Sequence, residues 1–398
     1  MNQTIRLAVV ALCYALSISI RMEAAEFIPL GNFDGVTSGT VARGISHDGS
    51  AIVGHGSRTS DTFSVVDAFR WTDVSGLANL QTLPLPGAPR TSAKSVSDGG
   101  NVVVGSIDYY GSPLISEAFR WTAADGIVGL GFLNDSGLQF GHAIDTTADG
   151  GIIVGWTSSV DSASEAFRWS ADSGMTGLGD LPGGEFSSSA TGISADGNVI
   201  VGAGNSQLGQ EAFLWTQETG MVPLGDLPGG FFGSLATAVS ADGRTVVGES
   251  FSTHSEGTLE AFRWTQGTGI QPIGDLPGGI FTSTAASVSG DGKIVVGWSD
   301  DEEGIKAFVW DEFHGIRDLQ EALVNEHSLS EPLLNWRLLT AQDISRDGLS
   351  IVGHGINPNG NIEAYLVRLD RPLTAPEPSS LALLLGATLL AALGRRRR

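Results

Sequence analysis

Two histidines stand in matching settings near opposite ends of the chain, Val53-Gly54-His55 and Val352-Gly353-His354. Imidazole titrates near neutral pH and ligates metals, so this pair, once adjacent, could share a metal ion or face a ligand. The same position, after an apolar run that reaches a glycine, holds Ser106, Trp156, Ala203, Glu249 and Trp298 elsewhere. Trp156 and Trp298 could stack on sugar rings, and Glu249 adds a carboxylate. Polar turn chemistry and packing between neighbouring units are the plainer uses of His55, His354, Trp156, Trp298 and Glu249.

Carboxylates recur as regularly. Asp48, Asp149, Asp196, Asp242, Asp291 and Asp347 each stand before a glycine, mostly as Ser-x-Asp-Gly. Such a ring could take Ca²⁺, a hard cation that prefers carboxylate oxygens. No EF-hand or RTX spacing surrounds them, so a structural Ca²⁺ has no support and no cofactor is implied. Asp-Gly is a hairpin-turn dipeptide, and these six read as structural turn residues. Asp180, Asp226 and Asp275 read as caps before Pro-Gly-Gly. A glycosidase needs two carboxyl groups about 5–9 Å apart, which 44 acidic residues neither reveal nor deny. No nucleophile elbow, His-Glu-x-x-His, P-loop or dinucleotide fingerprint stands in a suitable context.

The elements that position these residues repeat. Ala-Phe-Arg-Trp occurs at 68–71, 118–121, 166–169 and 261–264, with variants at 212–215 and 307–310. Ala364-Tyr365-Leu366-Val367 is a degenerate seventh copy. Trp-to-Trp spacings are 50, 48, 46, 49 and 46. Phe and Trp two apart put both rings on one face of a strand and Ala and Arg on the other. Each copy adds an alternating stretch before the Asp-Gly turn, a Val-rich run bounded by glycine, and a segment ending in Leu-Gly-Asp-Leu-Pro-Gly-Gly, where Pro, which cannot donate to the ladder, breaks the sheet. The unit is four short antiparallel strands, the size of one propeller blade. The predicted fold is all-β, a seven-bladed β-propeller over residues 26–371. The stretch Phe27–Gly31 is an orphan fourth strand, and the chain ends on three, so the N-terminal strand should close the ring and remove sticky edges. One insertion near 319–327 favours a short helix. The 55 glycines mark strand ends and tight turns in this reading, and they exclude helix bundles and collagen.

The ends read as addresses. Residues 1–25 carry Arg6 and an apolar run, as a signal peptide does. The only cysteine, Cys13, lies there, so the mature chain has no disulfide or thiolate chemistry. Residues 372–398 form a linker and a tripartite tail: Pro376-Glu377-Pro378, an apolar segment 381–394, then Arg395, Arg396, Arg397 and Arg398. Terminal arginines hold such an end in the cytoplasm. Net charge is −22, and both ends carry more arginine than acid, so the mature chain is more acidic still. It offers no basic stripe for nucleic acid.

The tail resembles the PEP-CTERM sorting signal of Gram-negative bacteria. That resemblance implies Sec export, transient anchoring in the inner membrane through 381–394, recognition by an exosortase, and delivery to the cell surface of a host that makes extracellular polysaccharide. The repeats, over about residues 27–370, resemble the HAF-repeat family of extracellular bacterial proteins. They depart from it where the family name expects His before Ala-Phe: here stand Asp67, Glu117, Glu165, Glu211, Glu260, Lys306 and Glu363. The turn is also similar to the Asp-box hairpin of sialidase-like propellers, with Asp and Gly adjacent here.

The expected function is a non-catalytic binding or structural module that engages exopolysaccharide or envelope proteins. The alternative is a polysaccharide-degrading hydrolase or lyase on the same scaffold. Mass analysis of the exported protein should find neither Cys13 nor anything after the Pro-Glu-Pro region; an intact C-terminus would refute the sorting signal.

Overall fold

A computed structural model of the chain describes residues 24–32, 39–59, 64–80, 90–109, 115–134, 139–162, 164–255 and 257–374. Residues 1–23 of the expected signal peptide and 376–398 of the expected sorting tail lie outside the described residues. Among those described, no helix is long and apolar enough to cross a membrane.

The chain folds as seven four-stranded antiparallel sheets in a ring, each with its first strand innermost. Strand β1 (Glu26–Pro29) comes first and belongs to the last blade. Blade 1 is β2 (Thr40–Ile45), β3 (Ala51–Thr59), β4 (Ser64–Thr72) and β5 (Gly76–Asn79). Blade 2 is β6 (Arg90–Val96), β7 (Val103–Tyr109), β8 (Ile115–Thr122) and β9 (Gly126–Gly129). Blade 3 is β10 (Gly141–Thr146), β11 (Ile152–Thr157), β12 (Glu165–Ser170) and β13 (Gly174–Gly177). Blade 4 is β14 (Gly183–Ile193), β15 (Ile200–Ser206), β16 (Gly209–Thr216) and β17 (Gly220–Gly225). Blade 5 is β18 (Ser234–Val239), β19 (Thr245–Ser250), β20 (Glu260–Thr265) and β21 (Gly269–Gly274). Blade 6 is β22 (Gly278–Val288), β23 (Ile294–Asp301), β24 (Gly304–Asp311) and β25 (Gly315–Asp318). Blade 7 is β26 (Arg337–Ile344), β27 (Ser350–Ile356) and β28 (Ile362–Arg368), completed by β1.

The Ala-Phe-Arg-Trp strand works as the spacing predicts. Phe69 and Trp71 pack with Ile52 against Val352 and Leu366 of the preceding blade. Ala68 and Val53 face the following blade and meet its Phe119. The arginines point the same way. Arg70 Nε donates to the Gly100 carbonyl at 2.8 Å, and Arg263 lies 5.8 Å from the Trp310 ring centroid of the next blade. Blade faces are therefore knob-and-hole surfaces, a large ring against alanine and valine. In the degenerate copy Tyr365 replaces Phe, and its buried hydroxyl donates to the Thr340 carbonyl at 2.8 Å.

The reading of the glycines needs two corrections. Gly54, Gly105, Gly155, Gly202, Gly248, Gly297 and Gly353 lie inside the second strands, not at strand ends. A Cβ on Gly54 would sit 2.0 Å from the Val41 carbonyl oxygen and 3.0 Å from the Phe69 ring, so only glycine fits. Leu-Pro-Gly-Gly does not end the sheet everywhere: β14 and β22 begin in its glycine pair, and the sheet resumes after Pro. Its leucines, Leu181, Leu227 and Leu276, are buried between blades.

Closure follows the expected complementarity. Glu26 to Pro29 pair with Arg368 to Tyr365, and the Phe27 ring meets Trp336 edge-on at 5.0 Å. Between blades a buried hydroxyl recurs: Ser234 Oγ donates to the Gly225 carbonyl and accepts from the Ala212 N–H. At the seam Thr40 Oγ1 does the same with Gly31 and Ala364, residues from opposite chain ends. The insertion forms helix α1 (Leu319–His327), capped by the Asp318 side chain on the Glu321 N–H. Leu319, Ala322 and Leu323 join the same core cluster as Phe27 and Tyr365. Deleting residues 26–31 should lower the melting temperature by about 10 °C; an unchanged value would mean that β1 does not hold the ring closed.

Candidate functional site

Each innermost strand carries a β-bulge directly after an invariant alanine. Pairing runs from Ala42 opposite Gly54 to Gly44 opposite Val53, which leaves Arg43 unpaired. The other blades do the same, leaving Lys94, Ile144, Thr191, Thr237, Ala286 and Gln342. A bulge re-aims the extra side chain. All seven of these residues line a central cavity of about 390 Å³. Its wall continues toward the Asp-Gly turns as far as His47, Ala241, Gly290 and Arg346.

Two bulge residues tie blades together: Thr191 Oγ1 donates to the Ala236 carbonyl and Thr237 Oγ1 to the Ala285 carbonyl, both at 2.6 Å. Two are cations, Arg43 and Lys94. Arg43 Nη1 has one long contact, 3.4 Å to Gln342 Oε1, and its buried Nε has no hydrogen-bond partner. Among the described residues Lys94 has neither hydrogen bond nor ion pair. Burial lowers the pKa of both, and in Lys94 the Arg43 charge adds to that while Asp108 opposes it.

The next position holds two carboxylates that bridge three blades each. Asp145 accepts from Ser95 Oγ of blade 2 at 2.7 Å, from the Ile193 N–H of blade 4 at 3.0 Å and from its own Thr146 N–H. Asp343 accepts from Ser287 Oγ of blade 6 at 2.6 Å, from the Ile45 N–H of blade 1 at 2.9 Å and from the Ile344 N–H. Both open onto the cavity yet sit deep in the protein. Burial pushes Asp145 up, and it pushes Asp343 up to about 6 against its hydrogen bonds, with the Asp145 charge adding.

Of the five candidates read from sequence, only Trp298 lines this cavity. His55 and His354 are brought near one another across the closure, but among cations. Burial and then Arg43 lower both to about 4, with Lys94, His354 and Arg90 acting further on His55. His55 Nδ1 shares a 3.3 Å hydrogen bond with Ser92, and His354 Nδ1 one of 2.9 Å with Thr340. Among the described residues no group of three or more His, Cys, Asp or Glu is placed to hold a metal ion. Trp156 stacks on His142 at 4.5 Å. Glu249 accepts from Thr284 Oγ1 at 2.6 Å, and burial raises its pKa.

The turn aspartates have local partners. Asp242 accepts from Ser240 Oγ at 2.7 Å and from the Arg244 N–H at 3.0 Å. Asp48, Asp196, Asp291 and Asp347 repeat this with Ser46, Ser194, Ser289 and Ser345, and Asp149 with Thr147. In blade 2 the shifted Asp98 instead accepts from the Asp48 N–H of blade 1. Asp180 caps its connection through the Leu181 and Ser187 N–H groups.

Arg43, Lys94, Asp145 and Asp343 escaped the sequence reading. Their signal was present: they fill the two columns after the invariant alanine, where the other blades have small or apolar residues or, once, Gln.

No family model and no curated protein matches the chain. Its fold is similar to that of several solved structures. An oligogalacturonate lyase from Vibrio parahaemolyticus aligns with TM-score 0.50 and 9% identity, covering 87% of this chain and 97% of that one. TolB from Acinetobacter baumannii aligns with TM-score 0.43 and 13% identity, covering 80% of each. A putative TolB from Agrobacterium tumefaciens aligns with TM-score 0.41 and 18% identity, covering 73% and 93%. At these identities the likeness speaks for the fold alone.

Asp343 has a folded pKa above its reference value of 3.8, so its favourable contribution is complete below about pH 4 and is lost as pH rises to about 6. Urea unfolding should show wild type losing on the order of 2 kcal/mol relative to Asp343→Asn between pH 4 and 6.5. Parallel profiles would refute this titration.

Proposed function

We propose that the protein is an exported, surface-sorted and non-catalytic binding module of the cell envelope or extracellular polysaccharide matrix, and that its ligand occupies the central channel. One observation carries this reading. The columns that build the blades hold the same residue types around the ring, whereas the bulge column facing the cavity reads Arg, Lys, Ile, Thr, Thr, Ala and Gln. Six residue types at seven equivalent places suit an asymmetric ligand. The volume falls at the small end of ligand sites, which run from about 300 to 1,000 Å³.

The absence of catalysis in this proposal rests on how the channel carboxylates are used. Asp145 and Asp343 each accept three hydrogen bonds from the scaffold. A general acid or base must instead reach the substrate proton. Export rests on the two ends of the sequence, with the Sec machinery and an exosortase as partners. The Trp298 ring on the cavity wall supplies an apolar face for a sugar.

The exported protein should be retained by exopolysaccharide from its own cells without releasing reducing ends or unsaturated products. Trp298→Ala should weaken retention about five-fold or more. Product release would replace the binding module with a hydrolase or lyase, and unchanged retention by the variant would move the site away from the channel.

A further inference from the structure

We propose that Arg43 and Lys94 make one side of the central channel a site for a sugar acid, a small polyhydroxylated carboxylate. This rests on the channel being the binding site and names the chemistry it would select.

The argument starts from an imbalance. In a chain of net charge −22 three cations line the channel, Arg43 and Lys94 at the bulges and Arg346 nearer the Asp-Gly turns, and none has an ion pair among the described residues. Burying a charge without a partner is costly, so such groups are normally paired. The one contact of Arg43 is the long one to Gln342, and its Nε is buried with no acceptor. A guanidinium offers a planar fork of donors that matches a carboxylate, and hydrogen bonds to ionised groups are the strong ones. The bulges of adjacent blades bring Lys94 to the same wall, where it adds a second positive charge.

The rest of the cavity fits the remainder of a sugar acid. Gln342 and Trp298 line it, one offering an amide and the other a flat apolar ring. Its other charged or titratable groups are Asp145, Asp343, His47 and Arg346. Both carboxylates are held by scaffold donors, so the open donors at the level of the bulges are those of Arg43 and Lys94, with the Arg346 guanidinium further along the wall toward the Asp-Gly turns. His55 and His354, close to Arg43, are kept uncharged at neutral pH and add no further positive charge.

Calorimetry of the exported protein at constant ionic strength, with glucuronate, glucose and inorganic phosphate as probes, tests this. Glucuronate should bind about ten-fold or more tighter than glucose and than phosphate. Arg43→Gln and Lys94→Gln should each weaken glucuronate about ten-fold while leaving glucose unchanged, and Arg43→Lys should lose less than Arg43→Gln. Melting curves check folding; if Arg43→Gln does not fold, Lys94→Gln, at a side chain with no internal bond, decides. Equal binding of glucose, phosphate as tight as glucuronate, or unaltered affinity in the Lys94 variant would overturn the site. Exopolysaccharide retention that depends on Trp298 but not on Arg43 or Lys94 would overturn this inference and leave the channel reading standing.

Discussion

A missing Cβ governs the architecture. In every blade the second-strand glycine lies under the carbonyl of the innermost strand, so close that a methyl group would stand 1.9–2.0 Å from the oxygen. The contact is tight because the innermost strand bulges there, putting two residues opposite one. On the same glycine rests the edge of the Phe ring of the third strand, at Gly54, Gly105, Gly248 and Gly297. Glycine thus admits the bulge and the ring together. The ring packs the blade against its neighbour, and the bulge turns one side chain into the channel. Scaffold and channel wall follow from one steric requirement repeated seven times.

Joining the two chain ends uses the ordinary contact between blades. In blades 4, 5 and 6 a serine hydroxyl, Ser188, Ser234 or Ser283, bridges a carbonyl and a third-strand N–H of the preceding blade. Thr40 makes that bridge with one group from residue 31 and one from residue 364. The seam therefore has the chemistry of those three contacts. It gains a larger apolar core, because α1 and the segment around Leu329, Leu333 and Trp336 pack onto Phe27 and Tyr365. The single long insertion in the repeat falls where the ring is held by a four-residue strand.

The fold was legible because its determinants are local and periodic. Phe-x-Trp fixes a face, Asp-Gly fixes a hairpin, and the surplus fourth strand at one end matches the deficit at the other. The strand-B role of glycine was not legible, because a close approach between strands leaves the same letter in the sequence as a turn. The channel residues were hidden for a related reason. Alternation assigns Arg43 and Lys94 to a sheet face, and only the bulge, set by the neighbouring strand's glycine, rotates them onto the axis. The position after that glycine, where His55 and Trp156 stand, keeps its regular register and lies between strands instead. Only Trp298 among the five reaches the cavity.

The two kinds of departure in the bulge region line one cavity. Two cations on a narrow axis would repel each other and resist burial. The carboxylates of blades 3 and 7 lie in the same channel, each fixed by donors from three blades, and neither forms an ion pair with Arg43 or Lys94. The carboxylate that acts on Lys94 is instead Asp108, which opposes the effects of burial and of the Arg43 charge. The oxygens of Asp145 and Asp343 are taken up by hydrogen bonds from Ser95, Ile193, Ser287 and Ile45. The stitches that hold the blades in register also leave the cations open toward the channel.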